Sequence, residues 1–459
     1  MFAPGEHTDE SLELSPQTPW PRTPGEVMPH KPVTGHSDAQ HAEMPSAAKV
    51  RLLLVLASVP WPIRRTGYAL RFAPIIDYLA QRHELDVLVL GEEDEAVQAS
   101  GPLRRCHSLV VTRVPASRLP PWLRKIRTAY RALWPWGAPR DSAGYPKRKL
   151  ERLLLDYLDD KNYSTVIWAT GHLDTACRIR RRYPQTRFVI DMVDSRALLS
   201  SRRASTDPLL RTLSRYSGWK WRRLERRAQE VFDASIYISD VDAHAARADH
   251  MPRIHVVPNG ISHADAPAIT KAAPSGRVIG FLGGMCYQPN ISAVVRLAER
   301  IFPRVLASLA DAKLLIIGRD PAPEITRLQS PAIIVTGTVD NIWSWIARAN
   351  IFVYPMIEGA GLQNKILEAM YAGVPIVTTS IAANGIGAKN GEQLLVADTD
   401  EGIVEQVLKL LGDPEWAARL AQEARTFVMR EFSWPAILPR YEAIVVAARA
   451  PAPLPGDLT

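Results

Sequence analysis

At 459 residues the chain exceeds the roughly 250–300 that a single hydrophobic core organises, so two domains are expected. Its 46% hydrophobic and 23% charged content suits a folding chain, while the lack of any apolar run of roughly 18–20 residues, or of a basic-then-apolar leader with a cleavage site, points away from the membrane-spanning and secreted classes. The formal charge of +8 is uneven, with 39 Lys+Arg against 29 Asp+Glu in residues 1–262 and 17 against 19 in residues 263–459, so the first half is expected to face something anionic.

Residues 1–47 repeat Pro, Gly, Ser, Thr and His without aliphatic clusters and are expected to be disordered. KVRLLLVLA at 49–57 is a continuous apolar run, the pattern of a parallel strand covered on both faces. Helical spacing over 68–81 and a second run at 84–91 complete a right-handed βαβ unit. Further strands are expected at 106–114, 164–170, 186–194, 234–240 and 254–260. The pattern restarts at 277–284, with a helix over 290–308 and strands at 312–318, 332–339, 351–355, 374–379 and 393–398. The fold class is therefore α/β, with two Rossmann-like parallel-sheet domains at 48–262 and 275–435. A polar, Pro-containing link near 261–274 joins them, and a C-terminal helix and tail follow at 436–459. Two such sheets facing one another leave a ligand cleft at their strand ends. Cys106, Cys177 and Cys286 form no CxxC pair, so neither a disulfide framework nor a zinc site is suggested, and a reducing cytoplasm fits.

One segment, EGAGLQNKILEAMYAGVP at 358–375, combines a strand end, a Gly-containing loop through Gly359 and Gly361, and a helix expected from about Leu362 to Ala372. A glycine turn leading into a helix N-terminus lets backbone amides and the helix dipole meet a diphosphate. Lys365 adds a cation in the first turn, and Glu368, three residues on, has two oxygens for a ribose diol; a plain surface ion pair between the two is the bland alternative.

Residues 277–385 resemble the C-terminal domain of the retaining glycosyltransferases of GT-B architecture, sometimes called family four. The matching stretches are GFLGGMCYQPN (280–290), LLIIG (314–318), VTGTVDNIWSWIARANIFVYP (335–355) and GLQNKILEAMYAGVPIVTTSIAANGI (361–386). Within that family the likeness is nearest to exopolysaccharide sugar transferases associated with protein-sorting (PEP-CTERM/exosortase) systems, and it extends more weakly over 49–262. The resemblance implies a nucleotide-sugar donor, with Glu368 on its ribose and Gly283, Gly284, Gly361, Asn364 and Lys365 around its diphosphate. Retention of configuration is likewise implied by the resemblance. Two departures stand out. The family's first glutamate would fall at Ala360, leaving Glu358 as the nearest acid for a role beside the sugar, and the Arg/Lys pair usual after the glycine loop is replaced by MCYQPN, which shifts phosphate neutralisation onto Lys365.

In the first domain Gly67, with Arg64 and Arg65 beside it, occupies the place of the family's acceptor and donor-phosphate turn, and the open alternative is an exposed basic loop. His172, past the strand at 164–170, is a candidate near the reacting sugar or a capping or solvated histidine. Asp194, with Asp191 before it, either orients the acceptor hydroxyl or caps a helix. DVD at 240–242 and DTD at 398–400 imitate a metal motif, but each precedes a helical pattern and reads as a cap, so no metal and no cofactor are expected.

Basic, aromatic sequence at 118–140 and again at 202–227 has the composition of an interfacial helix, which makes an anionic membrane surface a candidate partner. No nucleic-acid module is present. The reading is therefore a cytoplasmic transferase, peripheral at the inner face of the membrane, acting on a lipid-linked or saccharide acceptor. A sugar-nucleotide epimerase of the same shape and a non-catalytic basic nucleotide-binding protein are the competing readings.

Overall fold

The computed structural model describes residues 49–62, 66–90, 101–112, 120, 122–123, 126, 130, 134, 147–159, 161–201, 208–247, 253–261, 276–358 and 362–447. The expected disordered segment 1–47, Arg64, Arg65, most of 118–140, residues 202–207, nearly all of the 261–274 link, and Gly359 to Gly361 lie outside them. Strands are numbered in chain order, as are helices of six residues or more.

The first domain comprises β1 (Arg51–Leu56), α1 (Gly67–Arg82), β2 (Glu84–Leu90), β3 (Ser108–Thr112), α2 (Lys147–Asp159), β4 (Thr165–Ala169), α3 (Leu173–Arg182), β5 (Arg187–Val193), α4 (Arg196–Ser201), α5 (Pro208–Val231), β6 (Ala234–Tyr237), α6 (Asp240–Ala246) and β7 (Ile254–Val256). Its strands form one parallel sheet in the order β3-β2-β1-β4-β5-β6-β7. Alternate residues of β1 feed opposite cores: Leu52, Leu54 and Leu56 pack with Phe72 and Leu79 of α1, while Leu53 and Val55 pack with Leu154 and Trp168. That explains a run with no polar alternation.

The second domain repeats the scheme with β8 (Arg277–Leu282), α7 (Gln288–Arg296), α8 (Phe302–Ser308), β9 (Ala312–Ile317), β10 (Ile333–Val335), β11 (Ile351–Tyr354), α9 (Asn364–Tyr371), β12 (Ile376–Thr378), β13 (Leu395–Val396), α10 (Asp400–Gly412) and α11 (Pro414–Glu431), and α12 (Trp434–Val446) follows it in the chain. Its sheet runs β10-β9-β8-β11-β12-β13. Two expectations need correction here. The single helix at 290–308 is interrupted by a π turn at Leu297–Ile301, immediately before Pro303, whose ring excludes the carbonyl four residues back and whose missing N–H leaves a wider turn as the solution. The helix expected from Leu362 begins at Asn364, because Leu362 turns its side chain into the core and Gln363 has non-helical dihedrals of −86° and 83°. Gly373 ends that helix at φ 70°, a conformation that favours glycine.

The chain passes between the domains twice, and the crossings are bonded to each other. Ile261 N donates to Phe432 O at 2.7 Å, and Gly260 lies so close to the Trp434 indole that a Cβ there would stand 2.5 Å from it. After the return crossing α12 packs on the first domain, placing Ile437, Tyr441 and Val445 in the same core as Leu54 and Ile76, with Thr165 Oγ1 donating to Val445 O at 2.8 Å. Among the described residues no helix is long and apolar enough to cross a membrane.

Candidate functional site

Each sheet reverses its strand order at one point, between β1 and β4 in the first domain and between β8 and β11 in the second. Loops leaving the carboxyl ends of strands on either side of such a reversal diverge and open a crevice. Gly67 follows β1, His172 follows β4, Gly283 and Gly284 follow β8, and Glu358, Lys365 and Glu368 follow β11. Seven sequence candidates thus fall on the two crevices, and the crevices meet: a Cβ on Gly67 would stand 4.0 Å from the Asn364 side-chain amide, so the N-termini of α1 and α9 converge from opposite domains.

On the second-domain side, the loop after β8 is held by close backbone contact. Gly318, at φ 158°, lets the Gly283 carbonyl approach so closely that a Cβ on Gly318 would lie 1.7 Å from it. Asn290, buried in α7, donates through Nδ2 to Gly284 O at 2.9 Å and accepts on Oδ1 from the Lys365 ammonium. Lys365 lies 5.6 Å and 5.9 Å from the Phe281 and Tyr354 ring centroids, and Tyr354 OH donates to its carbonyl at 3.1 Å. Burial pushes the Lys365 amine down to about 7. Gly284 differs from Gly283: a Cβ on Gly283 would meet Asn290 at 2.7 Å, whereas a Cβ on Gly284 would meet none of the described residues within 4 Å. Glu368 is half-buried on α9, and its charge helps to raise the Tyr354 phenol.

A buried polar chain ties this site to the first domain. Arg71, fully buried on α1, donates through Nε to both Asp191 oxygens at 3.0 and 3.1 Å and through Nη1 to Val257 O and Asn259 Oδ1, each at 3.0 Å. Asn259 Nδ2 in turn donates to Asn364 Oδ1 at 3.3 Å, reaching the first residue of α9. A buried charge so placed requires this full set of acceptors.

At the end of β5 the backbone is strained. Val193 adopts φ 61° beside a register shift in the β5–β6 pairing, a conformation that β-branched residues avoid, and its N–H donates to Asp191 Oδ1 at 3.1 Å. The next residue is Asp194. Of its two readings the capping one falls to its neighbour, since Ser195 Oγ accepts from Leu198 N at 3.2 Å at the start of α4. Ser195 is itself fixed by Asp242 and Glu225, at 2.9 and 3.0 Å. Burial, then the Asp242 charge, pushes the Asp194 carboxyl up to about 7 against the pull of Arg71 and Arg196.

Tyr287, in the loop after β8, feels the charges of both the first domain's Asp194 and Glu358. Its phenol is raised by burial of the hydroxyl and by the charges of both acids. Glu358 is buried and accepts from Ser292 Oγ at 3.0 Å. His172 occupies the N-cap position of α3 without a side-chain cap bond, and the adjoining Gly171 faces the Arg196 guanidinium, where a Cβ would stand 3.7 Å away, so the His172 and Asp194 loops are neighbours. In DVD, Ser239 caps α6 and Asp242 lies in the first turn; in DTD, Thr399 caps α10 while Asp400 pairs with Arg296 at 2.7 Å and with Arg300 at 2.6 Å. Gly361 lies outside the described residues.

Sequence reasoning missed Arg71, Asn259, Asn290 and Tyr287 as site residues. Arg71 had a signal: with Ile75 and Leu79 it falls on a buried helical stripe, where an unpaired charge is untenable.

Two Rossmann-like domains with reversal points facing across a cleft define the GT-B architecture. Residues 276–413 match the family described as glycosyl transferases group 1. Among curated relatives, an uncharacterised 44.6 kDa protein in the cps region of Klebsiella pneumoniae is 26% identical over 161 residues, 33% of this chain and 42% of that protein. N-acetyl-alpha-D-glucosaminyl L-malate synthase of Bacillus anthracis is 27% identical over 166 residues, 34% and 43% of the two chains. The chain therefore spans less than half the length of these two relatives. Among solved structures, sucrose-phosphate synthase of Thermosynechococcus elongatus aligns over 86% of this chain and 98% of its own with a TM-score of 0.62 and 14% identity. Anabaena HepE in complex with UDP and glucose aligns over 87% and 100%, with a TM-score of 0.61 and 13% identity. At those identities the likeness establishes the fold.

Proposed function

We propose that the protein is a glycosyltransferase that moves a sugar from a nucleotide-sugar donor to a lipid-linked or saccharide acceptor in exopolysaccharide or cell-surface glycan synthesis. The observation that carries this reading is the open space at Gly284 beside the Lys365–Asn290 pair, at the point where two helix N-termini from different domains converge. A diphosphate seated there meets loop amides, two positive helix ends and an ammonium that burial holds near neutrality until an anion arrives. HepE, of the same fold, binds UDP and glucose, and the Klebsiella relative lies in a cps region, which supports the donor class and the glycan setting.

Donor cleavage leaves negative charge on the departing diphosphate, and Lys365 with the N–H groups of α9 and the glycine loop stabilises it. The process is read as metal-independent, because the two Asp-x-Asp segments are committed to helix starts and to arginine pairs. Retention of configuration rests on the donor segment's resemblance. Asp194, with its carboxyl near 7 and anchored on both sides, is the group read as orienting and deprotonating the acceptor hydroxyl. The acceptor is read as presented at the cytoplasmic face of the membrane.

Incubating the purified full chain with UDP-, GDP- and ADP-sugars and a membrane lipid extract tests the activity. Label appearing in lipid or saccharide supports it. Free epimerised sugar nucleotide, or no turnover with any donor, overturns it.

A further inference from the structure

Away from the cleft, the C-terminal end of α3 and the C-terminal half of α5 line a groove of about 430 Å³, within the range of roughly 300–1,000 Å³ typical of ligand sites. Its walls are Arg181, Arg222, Arg223, Arg226 and Arg227, with the Trp219 indole at one end and Glu230 as the only acid among its lining residues. Among the described residues no carboxylate pairs with Arg181, Arg222, Arg226 or Arg227. Gathering five guanidinium groups around one groove with a single carboxylate is unfavourable unless an anion from outside completes the arrangement, and guanidinium is the side chain best matched to phosphate oxygens.

A second surface adjoins the first. Trp122, Ile126, Tyr130 and Trp134 recur at a spacing of four, which puts them on one face of the helical turns they occupy, and they are 61%, 58%, 60% and 50% exposed. Tyr130 and Trp134 stack at 5.8 Å. The end of this stripe is bonded to α5 beside the groove: buried Lys220 donates to Trp134 O at 3.1 Å, and its neighbour Trp219, 48% exposed, stacks on Tyr216. Large apolar side chains rarely stand exposed in a row on a protein that functions in water alone.

We propose that the arginine groove on α3 and α5 binds the phosphate headgroups of an anionic phospholipid bilayer while the Trp122–Trp134 stripe enters the interface beside it. A dissolved polyanion would use the arginines and leave Trp122 and Ile126 in water. A bilayer accounts for both, with phosphates for the guanidiniums and the acyl boundary for the rings. Arg222, Arg223, Arg226 and Arg227 with the Trp122–Trp134 stripe thereby form a defined headgroup site, and vesicle binding is read without any sugar nucleotide, apart from the chemistry of the cleft.

The test is flotation of the full-length protein with phosphatidylcholine vesicles, with and without about one third phosphatidylglycerol, at low salt and at about 0.15 M, where the Debye length is about 8 Å. Binding should require phosphatidylglycerol and weaken with salt. Each lost arginine should cost about fivefold, so Arg222→Gln/Arg226→Gln/Arg227→Gln should bind roughly 100-fold more weakly. Trp122→Ser/Trp134→Ser should lose the blue shift of tryptophan fluorescence on vesicle addition. All five positions are exposed, and unchanged melting and nucleotide binding confirm that the variants fold. No binding of the native chain to anionic vesicles, undiminished binding by the arginine variant, or an RNA oligonucleotide that outcompetes the vesicles would each overturn the proposal.

Discussion

Asn259 Nδ2 donates to Asn364 Oδ1 at 3.3 Å, and the same Asn259 accepts from Arg71 at 3.0 Å through its other amide atom. One side chain thereby joins the first residue of α9, at the centre of the candidate donor site, to the buried Arg71–Asp191 pair at the strand end that carries Asp194. The two ends of this chain should respond differently to mutation. Asn259→Ala leaves the ion pair intact and should cost stability only about 1 kcal/mol. It releases Asn364, so donor affinity should fall by roughly tenfold, as for one lost hydrogen bond of about 1.4 kcal/mol. Arg71→Met strands the buried carboxylate and should cost about 3–5 kcal/mol. Denaturant titration and nucleotide calorimetry on both variants check this.

The two glycines after β8 make a sharper contrast. Gly283→Ala places a methyl 2.7 Å from Asn290 and should disturb the protein itself, whereas the Cβ of Gly284→Val meets none of the described residues within 4 Å and that variant should melt like the native chain. If the space beside Gly284 is where the diphosphate lies, only the second variant separates folding from binding, with normal stability and lost nucleotide affinity. Gly318→Ala, whose Cβ would stand 1.7 Å from the Gly283 carbonyl, should lose both.

Burial holds the Lys365 amine near 7, so it is largely neutral above that pH in the free protein. A diphosphate raises its pKa, so donor binding takes up a proton above pH 7. Affinity for a sugar nucleotide, whose diphosphate has no titration in this range, should therefore be highest below pH 7. It should weaken by up to about tenfold per unit above it, until the bound-state pKa is passed. Lys365→Gln should bind more weakly and without this slope. Calorimetry in buffers of different ionisation enthalpy reads the proton uptake directly.

Asp194 has the opposite sign. Its carboxyl is raised to about 7, so the protonated form contributes stability that is fully present below the ordinary aspartate range and lost as pH rises through 7. As a base it works only above that value, so kcat/KM should rise through pH 7. Asp194→Asn should remove this limb, lower kcat by about 10²–10⁴-fold, and flatten the fall in melting temperature between pH 4 and pH 7.

The sheets were legible because parallel strands covered on both faces read as unbroken apolar runs, as β1 and β11 do. The break in the 290–308 helix was not, since its cause, Pro303, sits inside an otherwise continuous amphipathic pattern. Gly283, Gly284 and Lys365 could be named as candidates because glycine turns and helix starts are local features. Arg71 and Tyr287 act through contacts made only when β5, the interdomain crossing and the loop after β8 come together, and no spacing along the chain encodes that. The capping role at the start of α4 falls to Ser195 through one bond, Leu198 N to Ser195 Oγ, which sequence alone leaves open for any Asp-Ser pair.

The proposed activity requires a nucleoside diphosphate seated beside Gly284 and Lys365 at the start of α9. Calorimetric titration of the native chain and Gly284→Val with UDP, GDP and ADP tests it most directly. Saturable binding of at least one nucleotide to the native chain is expected, and its loss in a variant of equal melting temperature. Equal affinity in the two proteins, or no binding to the native chain, would contradict it.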